Sequence, residues 1–146
     1  MRADGKTVTG AQRPGGPGLD NASAFLAAAG LRLTHVAADR VEGVIDFGPA
    51  HHTPWGVVHG GVYTTAAESA ASVGATVAVA DRGQIAVGTN NNTDFLRSMT
   101  TGTVAVTAAP VQQGRTQQLW DVQITDESGR VVARGTVRLQ NIQPRQ

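Results

Sequence analysis

The sequence predicts an α+β fold, with an antiparallel sheet of about six strands wrapped around one long helix. Three observations carry this. Segments with the character of elements run strand, strand, long helix, then four strands. The later strands are joined by short turns, Thr101-Gly102, Gln113-Gly114 and Asp126-Glu127-Ser128-Gly129, as antiparallel neighbours require. The one long helix has few bulky side chains, which suits enclosure by a sheet rather than exposure at a surface.

Residues 1–18 end in Pro14-Gly15-Gly16-Pro17-Gly18 and have the composition of a disordered tail, leaving 19–146 as a single domain. Asp20 or Asn21 caps a short helix that runs through Ala29, and Gly30 stops it. Residues 31–36 and 40–47 form a first hairpin. In its second strand Val41, Gly43, Ile45 and Phe47 alternate with Glu42, Val44 and Asp46. The long helix spans roughly 61–79, with Val62, Tyr63, Val73 and Val77 as its bulky residues. Gly74 in its interior costs about 1 kcal/mol relative to alanine. Asp81-Arg82-Gly83 ends it. Four strands follow at 85–96, 103–112, 116–125 and 130–142. Trp120, Val122 and Ile124 share one face of the third, and Val137 and Leu139 share the apolar face of the fourth.

A chain of 146 residues is long enough to bury a real core in one domain. Charged residues make up 16%, little enough to suggest that another subunit covers part of the surface. A net charge of +1 gives no general attraction to nucleic acid or membranes. With no cysteine, disulfides, thiolate nucleophiles and zinc–thiolate sites are excluded. Arg2, Lys6 and Arg13 precede no apolar run of the signal-peptide kind. No segment reaches the ~20 apolar residues that cross a bilayer. The expectation is a soluble cytoplasmic protein.

Chemistry concentrates in Trp55-Gly56-Val57-Val58-His59-Gly60-Gly61-Val62-Tyr63 and in Glu68. A glycine pair at a helix start presents free backbone N–H groups that polarise a carbonyl oxygen. A nearby carboxylate attacks that carbonyl or activates water against it. Thr64, Glu68 and Ser72 fall on one helix face, with Thr65 close by. Glu68 is the only Asp, Glu, Lys or Arg between Gly56 and Asp81, where a solvated helix face would carry several charges. Glu68 and Gly60 are eight residues apart, about 12 Å along a helix. A glutamate cannot close that gap. If both act on one thioester or ester they come from different chains, which predicts an obligate dimer with two composite sites.

His59 either hydrogen-bonds the turn at helix entry or orients the acyl group. His51 and His52 point apart on an extended segment, and no second carboxylate completes a ligand set, so no metal is expected. Asn90-Asn91-Asn92-Thr93-Asp94 is unusual in a strand and reads either as a bulged edge or as a polar wall beside the helix start. Arg97 and Arg115 lie at loop or strand ends, where arginines grip phosphates.

The run from Trp55 through Glu68, together with Ala86-Val87-Gly88, Asn91, Thr93, Phe95, Arg97, Gly102, Gly114 and Trp120-Asp121-Val122, resembles the hotdog-fold acyl-CoA thioesterases of the phenylacetate-pathway and 4-hydroxybenzoyl-CoA type. The resemblance covers nearly everything after residue 20. It implies dimers and often tetramers. In it the Gly60 N–H polarises the thioester carbonyl, and Glu68 of the partner chain acts as nucleophile or general base. Ser72 matches a position whose hydroxyl contacts the hydrolytic water or the carboxylate. Arg97, Arg115, Thr116 and Arg145 match positions suited to the nucleotide and phosphates of coenzyme A, which is part of the substrate and not a cofactor. Gly61, Thr53, Asn91 and Asn92 complete the expected substrate contacts.

Phenylacetate-pathway members usually carry Asp at the Glu68 position, so the aryl-CoA branch is the nearer match. Thr53 stands where that branch can carry glutamine, and Ser98 replaces a common proline. The acyl group therefore stays open. Two rival functions share the fold. A non-hydrolytic acyl-CoA-binding module would bind without turnover, and a hydratase or dehydratase would need His59 and Glu68 as an acid–base pair.

Overall fold

The alternation at 40–47 becomes a strand with one face in the core. In β2 (Arg40–Phe47), Val41, Gly43, Ile45 and Phe47 are buried while the residues between them are not. The structure is a computed structural model that describes Leu19 and residues 22–146. The expected tail at 1–18 and the expected caps Asp20 and Asn21 lie outside the described residues. The other elements are α1 (Ala24–Ala29), β1 (Arg32–Ala37), α2 (Gly60–Val79), β3 (Ile85–Phe95), β4 (Gly102–Gln113), β5 (Gln117–Thr125) and β6 (Val131–Ile142). The strands form one antiparallel sheet in the order β1-β2-β4-β5-β6-β3.

Element ends differ from expectation by a residue or two, for local reasons. The cap of α1 is Ser23, whose hydroxyl accepts the Leu26 N–H at 3.4 Å. Gly30 ends that helix at φ 80°, a left-handed conformation that glycine adopts without strain. The long helix begins at Gly60 because His59 caps it. Short 3-10 turns at Pro49–His51 and Ala80–Arg82 have no counterpart in the sequence reading.

Alanines on α2 let the sheet approach the helix axis. Ala66, Ala70, Ala71 and Ala75 are fully buried. A β-carbon at Gly74 would overlap the Trp120 indole, which accounts for a glycine inside a helix. Around this contact lies a buried amide network. Trp120 Nε1 donates to Gln118 Oε1 at 3.0 Å. Gln118 Nε2 donates to the Ala75 carbonyl and to Asn141 Oδ1, both at 2.9 Å. Asn141 Nδ2 reaches the Gly114 and Arg115 carbonyls. With these partners satisfied, the network ties mid-helix to two strands and the β4–β5 turn.

β3 lies at a sheet edge and runs antiparallel to α2. At one end the Ala86 N–H donates to Thr76 Oγ1 at 3.1 Å; at the other the Phe95 ring packs on Gly60. Tyr63 packs edge-on against Phe47 and tilted against Phe95, with centroids 5.5 and 5.8 Å apart. Burial pushes its phenol above the ordinary value, and its hydroxyl has no partner among the described residues.

Candidate active site

The start of α2 is built by His59. Its backbone is extended (φ −66°, ψ 133°), and its Nδ1 accepts the Gly61 N–H at 2.8 Å. An accepting Nδ1 carries no proton, so the neutral ring bears its proton on Nε2. This cap commits Gly61. The Gly60 N–H, by contrast, has no acceptor among the described residues. A β-carbon at Gly60 would overlap the Phe95 ring, and one at Gly61 would press on the His59 ring, so neither position admits a side chain without movement.

Two turns along the helix, Glu68 is half-buried. Its Oε2 accepts Asn91 Nδ2 of β3 at 3.0 Å, and its Oε1 lies over Gly88, where a β-carbon would overlap it. The same Asn91 amide donates to the Thr64 carbonyl at 3.1 Å, and the Thr93 hydroxyl donates to Asn91 Oδ1 at 2.7 Å. Glu68 has no ion pair among the described residues. Ser72, one turn on, is also half-buried. A glutamate anchored at one oxygen suits nucleophilic or general-base work.

The remaining candidates separate. Asn92 is exposed and, by strand alternation, lies on the face of β3 opposite Asn91. Thr53 Oγ1 accepts the Trp55 N–H at 3.3 Å and so shapes the loop before the helix. His51 and His52 spend their Nε2 atoms on the backbone carbonyls of Ala28 and Thr100. Arg97 follows β3, beside the start of β6, where its N–H meets the Val132 carbonyl. Arg115 and Thr116 lie at the far end of β6, where the Asn141 N–H meets the Thr116 carbonyl, and Arg145 lies just beyond. Pairing of Phe95 with Ala133 and of Gln117 with Gln140 puts these ends roughly 23 Å apart at β-strand rise. One chain therefore does not gather its arginines at one place.

Gly88 and Phe95 contact the site but had no assigned role in the sequence reading, and Thr93 had one only as part of the polar run. The polar run was its signal. A bulge obscured the rest: Gly88 pairs with Leu139 and Asn90 with Arg138, leaving Thr89 as an extra residue. The bulge brings Gly88 onto the same inner face as Asn91, Thr93 and Phe95, so a bulged edge and a polar wall coexist. A cleft of about 560 Å³ opens beside the helix start, lined by Phe25, Ala28, His51, Gly61, Val62 and Thr64 among others.

A helix start with an open N–H and a held carboxylate, on a helix packed against an antiparallel sheet, are the features expected of the thioester-hydrolase class of hotdog proteins. Residues 56–133 match the Thioesterase superfamily. Rv1847 of Mycobacterium tuberculosis, which carries the name of an esterase, is 48% identical over 118 residues, covering 80% of this chain and 84% of that protein. Its solved structure superposes with a TM-score of 0.80 over 84% of this chain and 98% of that one. The proofreading thioesterase EntH of Cronobacter turicensis is 32% identical over 101 residues, covering 69% and 73%. The 1,4-dihydroxy-2-naphthoyl-CoA hydrolase of Listeria monocytogenes is 37% identical over 81 residues, covering 56% and 65%. The chain belongs to the thioesterase superfamily. It is a hotdog-fold enzyme of thioester hydrolysis.

Proposed function

We propose that this enzyme hydrolyses an acyl- or aryl-CoA thioester to the free acid and coenzyme A, with Glu68 as nucleophile or general base and the Gly60 N–H of the partner subunit polarising the carbonyl. The observation that carries the reading is the division of labour on α2: an open N–H at Gly60 and, two turns on, a lone carboxylate anchored at Oε2. Their helical separation of about 12 Å supports a site shared by two chains. The outer edge of β3, unpaired among the described residues, supports close association of a second copy there. Such a dimer also gives a reason for arginines at both ends of β6, since one subunit would supply Arg97 and the other Arg115, Thr116 and Arg145 to the same nucleotide.

The cleft beside the helix start suits the acyl end, because Phe25, Ala28 and Val62 line it. The aryl-CoA substrate in the name of the Listeria relative supports including an aromatic acyl group in the range. Further assembly to a tetramer fits the low surface charge. A cysteine-free chain in which no helix among the described residues is long and apolar enough to cross a membrane is in keeping with a cytoplasmic location. The test is an acyl-CoA panel, from short-chain to benzoyl and naphthoyl thioesters, read by free-thiol release. Glu68→Gln should lower kcat on the order of 10³-fold. Undiminished turnover in that variant refutes the reading.

A further inference from the structure

Resting on that reading, we propose that Asn91, fixed by Thr93, is the positioning residue that presents Glu68, itself given room by Gly88, to substrate. The hydrogen-bond inventory orients the amide. A carboxylate and the Thr64 carbonyl are both acceptors, so the group facing them is the NH₂. The Thr93 hydroxyl donates to the opposite side, at Oδ1. All three polar functions of the Asn91 amide are thus engaged, and a flipped amide would set oxygen against oxygen at Glu68.

The consequence is a carboxylate with two unlike oxygens. Oε2 is anchored, while Oε1 has no hydrogen-bond partner among the described residues. Oε1 is then the oxygen left to attack the thioester carbon or to take a proton from water. Two glycines make the arrangement possible. A β-carbon at Gly88 would overlap Oε1, and one at Gly135 of β6 would overlap the Thr93 hydroxyl. The bulge at Thr89 brings Gly88 into line with Asn91 and Thr93.

The test combines kinetics with a signature independent of turnover. Thr93→Val, close in shape, should lower kcat on the order of 10-fold with KM held within about twofold, since it loosens the carboxylate without touching substrate. Thr93→Ser should restore kcat. In ¹⁵N–¹H spectra the Asn91 side-chain amide, assigned by its loss in Asn91→Asp, should shift in both Glu68→Gln and Thr93→Val. Wild-type kcat in Thr93→Val, or an Asn91 amide indifferent to Glu68→Gln, overturns the proposal. If the wild-type enzyme cleaves no thioester on the panel, the function reading falls, and the spectra alone decide whether Asn91 holds Glu68.

Discussion

His59 Nδ1 takes the Gly61 N–H at 2.8 Å, and so removes one of two adjacent donors from competition for a substrate carbonyl. The cap also stabilises the helix whose first N–H is left open. His59→Ala should therefore lower unfolding free energy by about 1 kcal/mol, while His59→Asn, among the best of N-cap residues, should recover most of it. Urea denaturation of the three proteins measures this. Equal losses in both variants would mean that the ring, and not the cap, stabilises the helix start.

Composite sites can be tested by subunit mixing. Gly60 is the first helical residue and His59 before it is extended, the setting in which proline is tolerated and only the N–H is lost. Because Phe95 packs on this position, Gly60→Pro is best made together with Phe95→Ala, with Phe95→Ala alone as control. Co-refolding an equimolar mixture of that double variant with Glu68→Gln should recover about a quarter of the control's activity, from the one intact site in each heterodimer. No recovery above the separate variants would place both groups in one chain.

Gly74→Ala sets propensity against packing. An alanine in an isolated helix gains about 1 kcal/mol over glycine. Here the added methyl meets the Trp120 ring and the Val41 side chain, both fully buried. Overpacking should win by about 1–3 kcal/mol, seen as a lower thermal midpoint. A midpoint above that of the parent would show that the indole can move aside.

Acid stability should carry a signature of the β5–β6 turn. Desolvation raises the Asp126 carboxyl, but the N–H groups of Arg130 and Ser128 and the Arg130 guanidinium outweigh it and hold the group below its ordinary value. A depressed carboxyl contributes stability that is present above its unfolded value and is lost as pH falls through the folded one. The stability difference between the parent and Asp126→Asn should thus be full near neutrality and shrink below roughly pH 4. Denaturation midpoints at several pH values test this, and a gap that widens on acidification would contradict it.

Much of the fold was legible because period and burial agree. Val41, Ile45 and Phe47 in β2 and Trp120, Val122 and Ile124 in β5 alternate in sequence and are buried in the structure. The slim α2 is indeed packed against the sheet, with ten of its twenty residues buried. Sheet order was not legible, since β3 reaches the edge beside β6 through contacts distant in sequence. The amide network of Gln118 and Asn141 was hidden for a related reason: polar side chains in strands read as solvent-facing until their partners are seen. At the candidate site, Glu68, Gly60 and His59 stood out through composition and spacing. Gly88 did not, because strict alternation sets it on the face opposite Asn91.

The extra residue in β3 has a consequence for how this sequence compares with its relatives. Thr89 is exposed and is anchored to the neighbouring strand through its hydroxyl, which donates to the Arg138 carbonyl at 3.2 Å. What matters at this point is thus the bulge itself more than the residue type within it. Many substitutions of Thr89 would leave inside and outside unchanged. So would its deletion, since Gly88–Leu139 and Asn90–Arg138 would then follow one another as regular pairs. Flattening the bulge with Thr89 kept would instead turn half of β3 over, exchanging Asn91 for Asn92 against the helix. A relative lacking this single position can hold its carboxylate with the same side chains on a straighter strand, so a gap of one here in an alignment marks a change of strand twist and not of active-site architecture.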